Sequence, residues 1–158
     1  GLRIMATTIA SGTLTVKLTE SVSLNGTAYS AVNNLTIAAI NEIQQRIVTV
    51  PNSTLVKLYD FTGIGTGAGS YDRTTLKYLR ITNKDDTNNI SVNLLGTASN
   101  TWTEITPGAS FIIATGVGVV QGVASAVVPT PTLENLVTVT AYSGLVNNVD
   151  VECYVAMT

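Results

Sequence analysis

Apolar residues fall at every second position in segment after segment of this chain. Leu14, Val16, Leu18, Val22 and Leu24 keep one phase near the start, and Val149, Val151, Cys153, Val155 and Met157 keep one near the end. A period of two sends alternate side chains to opposite faces of an extended backbone, so each stretch predicts a β-strand with one face toward a core. Thr13–Leu24 reads as one long strand or a pair, and Asn25-Gly26 after it is the strongest short hairpin signal, because both residues tolerate positive φ. A second hairpin is expected near Asn33-Asn34. Between Leu35 and Val50 two periods compete: Ile37, Ile40, Ile43 and Ile47 have helical spacing, while Arg46–Val50 alternates like a strand. One short helical turn inside a β fold reconciles them.

Turn chemistry divides the remainder. Pro51-Asn52 breaks the chain, Thr54–Phe61 resumes as a strand, and Gly63–Ser70 is a glycine-rich loop. Leu76–Ile81 is followed by an Asn/Asp-rich turn over 83–89, Ile90–Leu95 by a turn over 96–100, and Trp102–Ile105 by the tight turn Pro107-Gly108 before Phe111–Ala114. Pro129 and Pro131 mark an exposed crossing, and Leu136–Tyr142 and Val149–Met157 form a closing pair around Asn147-Asn148. Short strands at this spacing predict an all-β, single-domain β-sandwich or jelly roll of antiparallel strands over residues 13–158, with residues 1–12 as an N-terminal arm. Gly1–Ile4, ahead of Met5, read as a cloning scar or an over-extended start, and no apolar stretch of a secretory signal follows. The sequons at Asn25, Asn34, Asn52 and Asn89 are accordingly read as turn chemistry.

Composition narrows the function. The 158 residues include no histidine, one cysteine and 11% charged side chains, so the usual acid-base, nucleophilic and metal-ligating groups are nearly absent. A net charge of -2, with the eight basic residues scattered, carries no electrostatic footprint for nucleic acid or anionic lipid. Cys153 falls in phase with a core-facing stripe and reads as a small buried hydrophobe. Gly63-Ile64-Gly65-Thr66-Gly67-Ala68-Gly69 resembles a dinucleotide fingerprint superficially, but Ser70-Tyr71-Asp72-Arg73 leads into another strand where the fingerprint needs a helix. Asp85, Asp86, Asn88 and Asn89 offer calcium-like oxygen ligands without the spacing of a known loop, and read as a solvated turn. Asp60, Asp72, Glu104 and Glu152 are the conceivable paired carboxylates, and nothing selects two of them. Trp102 reads as a core or edge anchor. The expectation is a protein that is not an enzyme, with no cofactor, no metal and no small-molecule substrate.

Charge disappears between Glu104 and Glu134, across Phe111-Ile112-Ile113-Ala114 and a glycine-valine tract from Gly116 to Val128. A membrane span of that length is rejected, because Gln121 and Ser125 interrupt it, Gly116, Gly118 and Gly122 break it, and carboxylates flank it. The tract is expected to be a subunit interface, with Val119, Val120, Val123 and Val127 meeting a neighbour and the three glycines allowing close backbone approach.

Lys77-Tyr78-Leu79-Arg80-Ile81-Thr82-Asn83, continued through Asp86, Thr87, Asn89, Ile90-Ser91-Val92, Trp102 and Pro107-Gly108-Ala109-Ser110-Phe111, resembles the structural proteins of tailed bacteriophage virions. Leu14–Asn25, Ile47-Val48-Thr49-Val50-Pro51 and Val149–Tyr154 are similar to such chains as well. The resemblance spans most of the sequence and brings no catalytic or ligand-binding residue with it. It implies a small β-sandwich or jelly-roll capsid decoration (cement) protein, commonly a homotrimer, assembled in the host cytoplasm, placed on the virion surface and partnered by the major capsid protein. The alternatives are a tail or fibre component and a lectin-like glycan-binding sandwich.

Overall fold

The computed structural model describes residues 10–62, 74–114 and 133–158. Every regular element among them is a strand, and no described helix is long and apolar enough to cross a membrane. The chain divides into two compact units, Gly1–Glu42 with Thr158, and Ile43–Met157.

The first unit is a hairpin. Strands β1 (Gly12–Leu24) and β2 (Thr27–Ile40) pair antiparallel in register from Leu24↔Thr27 to Leu14↔Ile37. Asn25 and Gly26 turn them with φ of 50 and 77, the double positive φ that Asn-Gly supplies most readily. The second hairpin expected near Asn33-Asn34 does not form. Both residues lie inside β2, opposite Leu18 and Lys17, because the pairing begun at Asn25-Gly26 satisfies the backbone through them. The helical turn expected between Leu35 and Val50 is also absent. β2 runs to Ile40 and β3 (Glu42–Val50) follows after a single residue. A register shift between Gly12 and Leu14, with Ala39 at φ 59, accommodates the switch. Ladder pairing thus overrides the isoleucine period.

The second unit carries two four-stranded sheets. One has the order β3-β10-β5-β8, adding β5 (Leu76–Asn83), β8 (Ser110–Ile113) and β10 (Val149–Met157). The other has the order β4-β9-β6-β7, from β4 (Val56–Asp60), β6 (Ile90–Leu95), β7 (Asn100–Ile105) and β9 (Thr138–Tyr142). Within these sheets β3 neighbours β10, β4 neighbours β9, β5 neighbours β8 and β6 neighbours β7, so the strands pair from the outside of the sequence inward. The antiparallel ladders put Leu79 opposite Val155 and Ile113, and Val92 opposite Thr103 and Ala141.

One hydrophobic cluster draws on both sheets. Leu79, Ile81, Val151, Cys153 and Val155 come from the first, and Leu58, Ile90, Val92, Val139 and Ala141 from the second, all nearly or fully buried. The alternation in β10 explains its half: Val149, Val151, Cys153 and Val155 point inward, while Asp150, Glu152 and Tyr154 are less buried. Arg80 and Glu152, on the opposite face from that stripe, form an ion pair at 2.7 Å beside Tyr154. Two contacts brace β3 and β4: Arg46 donates through Nη2 to the Leu58 carbonyl, and its guanidinium lies 5.2 Å from the Tyr59 ring centre.

Leu79 has no exposed surface and sits mid-sheet with neighbours on both sides. Leu79→Ala is expected to lower unfolding free energy by about 2–5 kcal/mol, the range for a deleted core aliphatic, read from denaturant midpoints at unchanged m-value.

Candidate functional site

The glycine-valine tract proposed as an interface lies outside the described residues, and so do Val119, Val120, Val123, Val127, Gly116, Gly118 and Gly122. Gly63–Gly69 and Asp72 lie outside them as well. Among the described residues two places stand out: a hydrogen-bonded loop cluster at one end of the double sheet, and the apolar face of the β1–β2 hairpin.

The loop cluster is organised by Asn83, the last residue of β5, which is fully buried. Its Nδ2 donates to the carbonyls of Asn88 at 2.8 Å and Ile105 at 2.9 Å, and its Oδ1 accepts from the Asp85 amide at 2.9 Å. Its backbone N–H donates to Ala109 O, and its carbonyl accepts from Gly108 N–H, both at 3.0 Å. Gly108 has φ 76, which the Pro107-Gly108 turn requires. The Asp85 carboxylate accepts from the amides of Thr87 at 2.8 Å and Asn88 at 2.7 Å. These bonds, the Thr87 amide first, hold its pKa below the ordinary 3.8.

Other loops dock on the same end. Asn147 Nδ2 donates to Asn88 Oδ1 at 3.0 Å, and Asn52 donates from N to Asn148 Oδ1 and from Nδ2 to Val146 O, both at 2.9 Å. Thr49 Oγ1 donates to Asp150 Oδ1 at 2.5 Å. A polar cleft of about 510 Å³ opens among Thr49, Lys84, Asp85, Asp86, Asn148 and Asp150. Asp85 uses its carboxylate to fold its own turn, as the sequence reading of a solvated turn expects. Among the described residues no three Asp, Glu, Cys or His side chains converge with metal-ligand geometry.

The conceivable carboxylates have separate surroundings. Asp60 is held below its usual pKa first by the Thr62 hydroxyl, and pairs with Lys57 at 3.3 Å. Glu104 accepts from Asn89 at 2.9 Å, and Glu152 pairs with Arg80. A carboxylate the sequence did not single out has a built environment: Glu134 accepts the amides of Ala98 at 2.9 Å and Ser99 at 3.1 Å. The Ala98 amide chiefly keeps its pKa low. Gly96 makes room for it, since a Cβ there would sit 2.3 Å from Glu134 Oε2. Trp102 stands half-exposed on β7, the edge strand of its sheet, an edge position rather than a core one. Cys153 has no exposed surface, and desolvation pushes its thiol up to about 11.

The hairpin face is the larger feature. The register sets Leu14, Val16, Leu18, Glu20, Val22 and Leu24 of β1 opposite Ile37, Leu35, Asn33, Ala31, Tyr29 and Thr27 of β2 on one face. The opposite face pairs Thr15, Lys17, Thr19, Ser21 and Ser23 with Thr36, Asn34, Val32, Ser30 and Ala28. Period-two patterning therefore makes an amphipathic ribbon, yet its apolar side stays open: Leu18, Val22, Leu24 and Tyr29 are 49–60% exposed. The sequence signalled this stripe as core-facing; in the hairpin Leu14, Val16 and Ile37 are partly buried, and the positions nearer the turn are exposed.

Two outcomes are expected. Asp85 has a depressed folded pKa, so its contribution is fully present above 3.8 and lost as pH falls through the lower folded value. Thermal midpoints should fall with acidification over that window, and Asp85→Asn should lower the midpoint at neutral pH and flatten its acid dependence. Cys153 should resist a disulfide thiol reagent at about pH 8 in the native protein and react at once in denaturant, because the native thiol is both enclosed and protonated.

No protein-family model, curated protein or solved structure matches the chain.

Proposed function

We propose that the chain is a non-enzymatic structural subunit of a tailed-phage virion, a capsid decoration (cement) protein that binds the major capsid protein and reinforces the head. The open apolar face of the hairpin carries this reading. The double sheet encloses its own core, so the hairpin's Leu18, Val22, Leu24 and Tyr29 are surplus to folding of that unit and suit contact with another chain. A two-stranded ribbon is marginal in water on its own, and 13- and 14-residue strands are long for one. The cement reading gives them a permanent neighbour.

The fold is consistent with that role. Two sheets around one core, with strands paired from the outside of the sequence inward, support a β-sandwich of jelly-roll type, in which a long hairpin is rolled up on itself. Such scaffolds serve viral capsids and lectins alike. The resemblance of the Lys77–Asn83 and Pro107–Phe111 segments to phage virion proteins favours the first. Trp102 favours the second reading, a glycan-binding tail or fibre component, because a half-exposed ring on an edge strand offers a flat apolar face on which a sugar ring can stack.

The test is co-sedimentation of the purified chain with heads assembled from a tailed-phage major capsid protein. Saturable binding that persists in about 1 M salt, where exposed charge pairs are screened, is expected for an apolar contact. Absence from heads, with retention on a glycan array lost in Trp102→Ala, would replace the cement reading by the glycan-binding one.

A further inference from the structure

The outward face of the second sheet sets the half-exposed Trp102 among polar side chains. Val92, Ile105 and Ala141 face the core, so strand alternation turns Ser91 and Asn93 of β6, Asn100, Trp102 and Glu104 of β7, and Tyr142 of β9 the other way. The ladders seat Trp102 directly opposite Asn93, and Ser91 opposite both Glu104 and Tyr142. Directly opposed residues have Cβ atoms about 5 Å apart, so the Asn93 side chain borders the indole.

Hydrogen bonds within this face orient what is left over. Asn93 is only 9% exposed, and its Nδ2 donates to Asn100 Oδ1 at 3.2 Å and to the Thr101 carbonyl at 3.4 Å. Because Asn100 accepts through Oδ1, its Nδ2 remains a donor two residues before Trp102. Two residues after the ring, Glu104 accepts from Asn89 through Oε1 at 2.9 Å and keeps Oε2 as an acceptor. Asn100 and Glu104 are both exposed. A flat apolar ring is thereby flanked along its own strand by an oriented donor on one side and an oriented acceptor on the other.

We propose that this face binds a neutral, β-linked oligosaccharide laid diagonally across the sheet, from Trp102 over Asn93, Ser91 and Glu104 to Tyr142. The proposal rests on the glycan-binding reading, to which it adds the site and the class of sugar, and it uses no residue of the hairpin that carries the cement reading. A pyranose with equatorial hydroxyls presents a patch of C–H groups to the indole and a rim of hydroxyls that both donate and accept, which Asn100 and Glu104 match. The span selects a chain over a single sugar: two strand spacings across and one two-residue step along put Trp102 and Tyr142 about 12 Å apart. Other ligand classes fit the face less well. Glu104 is the one charge on β6, β7 and β9, so a phosphate backbone or an acidic sugar meets repulsion without a counter-charge. A protein interface is centred on a cluster of apolar anchors, whereas Leu95 is the one other large apolar side chain exposed on these three strands.

Trp102 is the chain's one tryptophan, so its fluorescence reports on the site directly. Titration of the purified full chain with cellotetraose and with chitotetraose should shift the emission to the blue for at least one of them, with glucose and tetragalacturonate weaker by about tenfold or more. In calorimetry Trp102→Ala should weaken that binding by about tenfold or more and Trp102→Phe by less, while Glu104→Gln should admit tetragalacturonate. Protection of the Cys153 thiol reports that each variant is folded. No shift with either tetrasaccharide at millimolar concentration, glucose bound as tightly as the tetrasaccharide, a preference for tetragalacturonate, or binding undiminished in Trp102→Ala with Cys153 protected overturns the proposal. Binding to heads is read separately. A chain that co-sediments with heads and binds neither tetrasaccharide keeps the cement reading and loses this site, and loss of head binding in Trp102→Ala would then assign the face to the capsid protein. A chain that binds sugar through Trp102 and stays off heads keeps this site and loses the cement reading.

Discussion

A single buried amide ties the double sheet together at one end. Asn83 is fully enclosed, and a buried side-chain amide is tolerated only when its donors and acceptor are matched. Both Nδ2 hydrogens and Oδ1 find main-chain partners in two segments, the 83–89 turn and the end of β7, while the backbone N–H and C=O of Asn83 bond Ala109 and Gly108 at the Pro107-Gly108 turn. An apolar residue there would leave the carbonyls of Asn88 and Ile105 without this donor. The position therefore couples the exit of β5 to the β7–β8 connection, and through Asn88 to Asn147 it reaches the loop before β10. The geometry of that whole end follows from one side chain being satisfied.

The two units treat apolar surface in opposite ways. In the double sheet the inward stripes of β5, β6, β9 and β10 meet each other and exclude water. In the hairpin an equally regular stripe leaves Leu18, Val22, Leu24 and Tyr29 49–60% exposed. Both are made of the same residue types in the same period. The difference lies in the number of layers: a sheet facing a sheet closes a core, while a ribbon alone does not.

Polar side chains in this protein mostly serve the backbone. Asp85 and Glu134 each accept from two consecutive or nearly consecutive amides, shaping the turns at 85–88 and 96–99. Asn52 donates its side-chain amide to the Val146 carbonyl, and Asn83 to the carbonyls of Asn88 and Ile105. Such groups are used up in folding, and the carboxylates among them are held ionised by the amides they accept.

The sequence by itself determined the strands. The alternation in Ile90–Leu95 and Val149–Met157 marks elements with those same limits, and Asn25-Gly26 marks its hairpin, because side-chain period and positive φ are local properties. Cys153 was legible as buried for the same reason. Tertiary structure decided the rest. Asn33-Asn34 reads as a turn locally and lies mid-strand because its partner strand was already aligned by another turn, and Ile37–Ile47 reads as helical although its residues extend to pair with β1 and β10. The stripe Leu14–Leu24 marks a buried face in sequence, yet whether a face is covered depends on what packs against it, which no local pattern encodes. Asn83 and Glu134 were invisible for a related reason: apart from the Asp85 amide, their side-chain partners are five to thirty-six residues away, and only the folded chain brings them within hydrogen-bond reach.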